Sequence, residues 1–295
     1  MPKPGIAIVG AGKVGSVLAR ALAKKGYPLA GIASSTLESA RRLAGELGAA
    51  SGTSAADMVR QAHLVFLTTP DRCIQETAEE IAKNNGFQKG QIVLHMSGCL
   101  PADILKPAES QGAFIGCMHP LQSFADKKHT EELLKGIYFA LSGQDEAIGQ
   151  AQKIAQDLGG SSFIIQEQDK ALYHGAACIV SNYTVALMHW AGQLYKHFGL
   201  SAEEAAAALL PLLEGTVKNI RELGTVNALT GPVSRGDSIT VMAHIRALPN
   251  ERDKKLYQEL GMYTLDVALE KGTVSHEEAA GLAKVLRDHN RGKST

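Results

Sequence analysis

The chain has 295 residues, with 30 Lys and Arg set against 30 Asp and Glu and a formal net charge of zero. Balanced, scattered charge excludes a basic footprint for nucleic acid or for an acidic membrane surface. Hydrophobic content of 45% and charged content of 20% describe an ordinary globular chain long enough for two domains, and no apolar run reaches the length of a membrane span. The four cysteines, Cys73, Cys99, Cys117 and Cys178, have neither C-x-x-C nor metal-ligand spacing. Reduced thiols and a cytoplasmic location, without a leader segment, are therefore expected.

The first element is a short apolar run, Ile6-Ala7-Ile8-Val9, suited to a buried strand. It breaks into Gly10-Ala11-Gly12-Lys13-Val14-Gly15 and then into an Ala/Leu-rich helical pattern to about Lys25. G-x-G-x-x-G between a strand and a helix has a physical meaning. Gly10 permits the tight turn, Gly12 lets backbone approach a pyrophosphate, and Gly15 removes a side chain where helix and strand pack. The stretch reads as a dinucleotide site. Gly26 ends the helix, and Leu29 to Ala33 reads as the second strand. An NAD site carries Asp or Glu at the end of that strand, to bond the ribose 2′-hydroxyl. Here the strand runs into Ser34-Ser35-Thr36, with Arg41 and Arg42 soon after. Hydroxyls and guanidinium groups suit a 2′-phosphate, so NADP(H) is favoured, the bland alternative being that both arginines solvate a helix from Leu37 to Leu47.

A third strand, Leu64 to Leu67, runs into Thr68-Thr69-Pro70-Asp71, where Pro70 stops the strand and a helix can start from Asp71. Ligands of an open parallel sheet gather beyond the carboxyl ends of its strands, which nominates Thr68, Thr69 and Pro70 as cofactor contacts. The strand Ile92 to Met96 delivers Ser97 to the same rim, whereas His95 within it reads as structural. Ala113 to Met118 then leads into His119-Pro120, placing His119 as a substrate contact. Strands Tyr138 to Leu141 and Ser162 to Ile165 flank a helix from about Glu146 to Leu158. This alternation is that of a doubly wound, mostly parallel α/β sheet.

From about residue 166 the pattern turns helical, which divides the chain into a nucleotide domain (1–165) and an all-helical substrate and dimerisation domain (166–295). One proline-free helix is expected from Asp169 to Phe198, followed by Glu203 to Glu214, Gly215 to Leu223, Asp237 to Leu248, Asn250 to Lys271 and Ser275 to Arg287, with a frayed tail from Asn290. At 100° per residue, Lys170, His174, Cys178 and Ser181 fall on one stripe of the first of these helices, with Asn182 at its edge. Polar groups on an apolar helix ask for partners, because burial without them costs about 1–3 kcal/mol each. His174 is the favoured proton donor because histidine titrates near neutrality, Lys170 being the alternative and Asn182 a helper. Ser181 is a candidate substrate contact. Arg235, in Gly231-Pro232-Val233-Ser234-Arg235-Gly236-Asp237, could clamp a carboxylate, with Asp237 holding it or capping the next helix. His119, His129, His174, His189 and His244 fall at no metal-ligand spacing, so no metal is expected. The apolar stretch Ala176 to Leu194, with the single tryptophan Trp190, suits a homodimer as well as an internal core.

The order of domains resembles the 6-phosphogluconate dehydrogenase-like superfamily, which includes ketopantoate, pyrroline-5-carboxylate, prephenate and β-hydroxyacid enzymes. The set of Gly10 to Gly15, Leu94-His95-Met96-Ser97-Gly98, His119-Pro120-Leu121-Gln122-Ser123-Phe124, Tyr173-His174 with Ser181-Asn182, and Gly231 to Asp237 is similar to Rossmann-like proteins carrying a DUF2520 domain. That resemblance covers nearly the whole chain. It implies an NADPH-dependent reductase of a small, ketopantoate-like 2-oxo acid, with substrate in the interdomain cleft. An imine reductase of pyrroline-5-carboxylate type and a non-catalytic NADP(H) sensor are the alternatives. Relatives with a catalytic lysine on this helix carry an asparagine one turn later; here His174 stands one turn after Lys170, and Asn182 comes two turns after that.

Overall fold

The computed structural model describes residues 3–125 and 131–288. The chain divides into two compact units, 1–186 and 187–295. In the first, eight strands form one sheet: β1 (Ile6–Val9), β2 (Leu29–Ala33), β3 (Ala50–Gly52), β4 (Leu64–Leu67), β5 (Ile92–His95), β6 (Phe114–Pro120), β7 (Tyr138–Gly143) and β8 (Ser161–Ile164). Their order is β3-β2-β1-β4-β5-β6-β7-β8, and every pair is parallel except β6 with β7. The first six strands have the doubly wound dinucleotide-binding order, whose strand sequence reverses between β1 and β4.

The helices α1 (Lys13–Lys24), α2 (Leu37–Leu47), α3 (Ala55–Val59), α4 (Asp71–Lys83), α5 (Lys106–Glu109) and α6 (Asp145–Asp157) cover the sheet. The strands are continuous apolar runs because both of their faces are covered. Alternate residues serve opposite layers. Ile6, Ile8, Leu64 and Phe66 pack with Leu18 and Leu22 of α1 and Ile154 of α6, whereas Ala7, Val9, Val65 and Leu67 pack with Val59 of α3 and Ile74 and Ile81 of α4. The expected α/β architecture is the one found. The sequence pattern gives no sign of β3 and α3, since three residues, Ala50-Ser51-Gly52, are too few to establish a period.

The predicted helix Asp169 to Phe198 is continuous but not uniform. It comprises a 3-10 turn (Glu167–Asp169), α7 (Lys170–Cys178), a π-helical turn (Ile179–Tyr183), α8 (Thr184–Tyr195) and a second 3-10 turn (Lys196–Phe198). The division between the two units falls inside α8. In the second unit, α9 (Ala202–Asn227) opens with a capping box on Ser201 and Glu204 and runs through Gly215, where a new helix was expected. A helical glycine costs only about 1 kcal/mol relative to alanine, too little to end a long helix. The break comes instead at Gly224, at φ 77° and ψ 168°. The helices α10 (Ser238–Ala247), α11 (Glu251–Lys271) and α12 (His276–Arg287) follow. Val241, Leu265, Ala268, Leu282 and Leu286 build that unit's own core. His129 and the expected frayed tail lie outside the described residues.

Candidate functional site

The glycine loop is shaped by close approach. Gly10 holds φ at +115°, and a Cβ there would lie 2.8 Å from the Thr68 carbonyl carbon and 2.9 Å from the Thr69 nitrogen. A Cβ on Gly15 would collide with the Gly10 carbonyl oxygen and the Thr68 hydroxyl. Gly12, by contrast, faces open space and caps α1 with no side-chain bond. An uncapped helix N-terminus beneath an open glycine suits a pyrophosphate, because its first N–H groups have no intrahelical acceptor. Ala11 is buried under the loop, Lys13 is exposed and Val14 is half-buried. The Thr68 hydroxyl donates to the Gly10 carbonyl oxygen at 2.7 Å, so Thr68 braces the loop. The Thr69 hydroxyl is buried with no partner, a polar group left for a ligand at this rim. Pro70 precedes α4 at its N-cap.

At the end of β2, Ser34 is half-buried while Ser35 and Arg41 are exposed. Thr36 caps α2, its hydroxyl accepting from the Ser39 N–H at 3.4 Å. No carboxylate occupies residues 34–36. Arg42 is also exposed. The residues present fit a dinucleotide bearing a 2′-phosphate, which a carboxylate at this place would repel.

A polar cluster stands at the carboxyl ends of β5 and β6. His119, on β6, bonds through Nδ1 to the Tyr173 hydroxyl of α7 at 2.7 Å. Its ring meets those of Tyr173 and His174 edge-on, with centroids 5.6 and 5.8 Å away. Gly98 makes that approach possible, since a Cβ there would sit 2.6 Å from His174 Cδ2 and 2.9 Å from His119 Cε1 and Nε2. Burial, then the neighbouring His174 and Lys170, push the His119 pKa down to about 4. Burial raises the Tyr173 phenol to about 12. Both groups are therefore neutral at pH 7.

Lys170 is only 1% exposed. Its Nζ lies 3.0 Å from Cys117 Sγ, 3.4 Å from Ser142 Oγ and 3.5 Å from the Ser97 carbonyl oxygen. Although it stands at the start of α7, where a lysine is usually solvated, Lys170 is buried. Ser97 itself donates its hydroxyl to Asp71 Oδ2 at 2.6 Å. His95 is fully buried, accepts the Ser97 N–H on Nδ1 at 3.1 Å, and has its pKa driven down to about 3 by burial and then by Lys170. Asp71 and Tyr173 are members of this cluster that sequence reasoning did not assign a role. Asp71 starts α4, and its place just beyond a sheet strand is the same signal that points to Thr68 and Thr69.

Other nominated residues stand apart. Cys178 Sγ lies 4.0 Å from His174 Nδ1, extending the stripe by one turn. Ser181 and Asn182 then fall within the π-helical turn and are exposed. The wider winding of that turn ends the 100° progression on which their place in the stripe was reckoned. Arg235 belongs to the second unit, where it is exposed in a 3-10 turn, Val233–Arg235. Asp237 caps α10, accepting from the Thr240 N–H at 3.0 Å and from its hydroxyl at 2.6 Å. Among the described residues, no group of three or more His, Cys, Asp or Glu is placed to hold a metal ion, and no helix is long and apolar enough to cross a membrane.

Comparison with known proteins agrees with this anatomy. A candidate NADP oxidoreductase from Bacteroides fragilis superposes with a TM-score of 0.74 at 26% identity, covering 90% of this chain and 99% of that one. A protein from Thermotoga maritima gives 0.69 at 27% identity, covering 90% and 99%. Pyrroline carboxylate reductase of Plasmodium falciparum, solved with NADP bound, shares the fold with a TM-score of 0.59 at 14% identity, covering 92% and 98%. No match was found among curated proteins. Residues 2–120 match the Rossmann-like domain family, and residues 137–264 match a domain of unknown function, DUF2520. The chain is thus a Rossmann-like domain followed by a DUF2520 domain.

Proposed function

We propose that this protein is an NADPH-dependent reductase of a small 2-oxo acid of ketopantoate type. The observation that carries the reading is the meeting of His119, Tyr173 and His174 over Gly98, at the rim that also bears the glycine loop. The similarity to the Bacteroides fragilis candidate NADP oxidoreductase supports the cofactor class.

The loop Gly10 to Gly15 binds the pyrophosphate through backbone N–H groups, while Ser34, Ser35 and Arg41 hold the 2′-phosphate. When bound, the cofactor supplies a hydride to the carbonyl carbon. The protein's part is the proton and the placement. His174 gives a proton to the carbonyl oxygen, standing half-buried where water can restore it. His119 is neutral; with the Tyr173 hydroxyl donating to Nδ1, it presents Nε2–H to the same oxygen. None of the three hydrogen-bond partners of Lys170 is a carboxylate, so its charge favours an anionic substrate nearby.

A homodimer belongs to this reading. Leu210, Val217, Ile220 and Leu223 stand exposed on α9, an apolar surface of the kind that subunit contacts cover. Sedimentation of the purified chain reads the assembly directly.

The deciding experiment follows NADPH oxidation with ketopantoate and a panel of 2-oxo acids, with NADH in parallel. Turnover that prefers NADPH is expected, and His174→Ala should abolish it while NADPH affinity is kept. Binding without turnover on any acid would shift the reading to an imine substrate or a nucleotide sensor. Failure to bind either nucleotide would overturn it.

A further inference from the structure

The contact between Lys170 and Cys117 is unusual for its composition. A lysine normally keeps its ammonium in water or against a carboxylate, because isolated buried charge is costly. Here both side chains are 1% exposed, and the shortest contact of Lys170 Nζ is a thiol sulfur at 3.0 Å. The thiol also donates to the Ser97 carbonyl oxygen, 3.1 Å away, an oxygen that lies 3.5 Å from Lys170 Nζ as well. The two groups come from different elements, Cys117 from β6 and Lys170 from the first turn of α7. Nitrogen and sulfur at that distance leave room for one bridging oxygen atom after a small closing movement.

We propose that Lys170 and Cys117 form a reversible covalent N–O–S bridge in the presence of dioxygen. The step balances as one lysine ammonium, one thiol and one O2 giving Lys–NH–O–S–Cys, one water and one proton. Two N–H bonds, the S–H bond and the O–O bond break; N–O, O–S and two water O–H bonds form, and one proton passes to solvent. Sulfur and nitrogen are each oxidised by two electrons, and dioxygen takes up all four. Thiol reductant returns the free pair: four thiols form two disulfides, nitrogen and sulfur each take back two electrons, and the bridging oxygen leaves as water, the sulfur starting from the sulfenic level, the reversible rung of cysteine oxidation.

The bridge would tie β6 to the start of α7 and remove the Lys170 charge. His119 lies two residues beyond Cys117, and Tyr173 and His174 lie one turn beyond Lys170. Oxidation would therefore fix the spacing of the two strand and helix segments that carry the polar cluster. Cys73 and Cys178 are half-buried and Cys99 is exposed, and none of them has a lysine partner among the described contacts; they follow the ordinary thiol oxidation ladder.

The test is a peptide map of the purified full chain, held anaerobically with reductant or incubated under oxygen. Under oxygen the expected product is heavier by about 14 Da, distinct from the steps of about 16 Da for added oxygen atoms. Trypsin should no longer cut after Lys170, and the fragments bearing Cys117 and Lys170 should travel as one species until thiol reductant is added. With 18O2 the bridged species should gain about 2 Da more, placing the extra atom as dioxygen-derived. Cys117→Ser and Lys170→Arg should each lack the species. The wild-type map decides the matter even where a variant folds poorly. Recovery of Lys170 as a free cleavage site after oxygen exposure, with Cys117 either unmodified or carrying sulfinic acid, would overturn the proposal.

Discussion

Gly98→Ala separates chemistry from stability. The added Cβ would stand 2.6 Å from His174 Cδ2 and 2.9 Å from two ring atoms of His119, so at least one ring must turn away. His119 resists, because Nδ1 is tied to the Tyr173 hydroxyl at 2.7 Å. His174 yields, since among the described hydrogen bonds its ring has only a 4.0 Å contact with the Cys178 sulfur and the residue is only half-buried. Overpacking a core costs about 1–3 kcal/mol, but a ring edge at the end of two rotatable bonds relieves most of it. The expected loss is below about 1 kcal/mol, or a fall in Tm of less than about 4 °C. Displacing a proton donor by the better part of an ångström costs about 100-fold in turnover. The assays are thermal unfolding, NADPH titration by fluorescence, and NADPH oxidation with whichever 2-oxo acid the panel identifies. Intact folding, intact NADPH binding and a large loss of kcat are expected together. A variant with wild-type kcat would refute the placement of the reacting oxygen over Gly98.

Gly15→Ala should behave in the opposite way. Its Cβ meets a backbone carbonyl and the hydroxyl that braces it, neither of which can swing aside, so NADPH binding and stability should fall together on titration and melting. Ser34→Asp sets a carboxylate where a 2′-phosphate would lie; NADPH affinity should drop at least about tenfold while NADH affinity holds or rises, as paired titrations would read. Burial holds the His119 pKa near 4 against an ordinary 6.5, so the unfolded chain binds the extra proton between those values. That contribution to stability is complete above about pH 6.5 and is lost as pH falls toward 4, amounting to about 3 kcal/mol. Urea unfolding across that range should show a shallower slope for His119→Gln; an unchanged slope would remove the buried, neutral imidazole. His174 and Lys170 oppose its protonation and Asp71 favours it, so the charge of each belongs in the comparison.

The glycine loop and sheet are legible in the sequence because their determinants are local. Ile6 to Val9 and Leu64 to Leu67 are apolar runs covered on both faces, and Gly10, Gly12 and Gly15 are adjacent in the chain. The polar cluster is legible only residue by residue. His119 follows from the end of a strand and His174 from a helix stripe, but their meeting over Gly98 joins segments from three parts of the chain. Nothing at positions 97 to 99 announces that a missing Cβ is what admits two imidazoles. The π-helical turn at Ile179–Tyr183 is silent too, since one residue of wider winding changes no composition. Lys170 misleads for a related reason. A lysine at a helix start is usually solvated, and only the tertiary arrangement puts the thiol of Cys117 against it.

Ser97 explains how such a cluster keeps its shape before any ligand arrives. Its hydroxyl donates to Asp71 at 2.6 Å and accepts the N–H groups of Cys99 and Leu100 at 3.2 and 3.1 Å, which uses its one donor and both lone pairs. Its own N–H goes to His95 Nδ1, and its carbonyl oxygen receives the Cys117 thiol and Lys170 Nζ. The residue nominated from the sequence as a cofactor contact therefore has no polar group to spare, and a contact through its hydroxyl would have to displace an existing bond. Its physical role is to join the end of β5 to α4, β6 and α7 at once. Groups held this way reorganise little during a reaction, which is where electrostatic assistance to catalysis comes from. Ser97→Ala should accordingly disturb three elements with one deletion: Asp71 loses its donor, two loop N–H groups lose their acceptor, and Gly98 loses the turn that sets the two histidine rings in place. The Asp71→Asn variant makes the sharper comparison, because it keeps an oxygen to accept from Ser97 and removes only the charge. If Asp71 acts through geometry alone, Asp71→Asn should retain most of the turnover that Ser97→Ala loses.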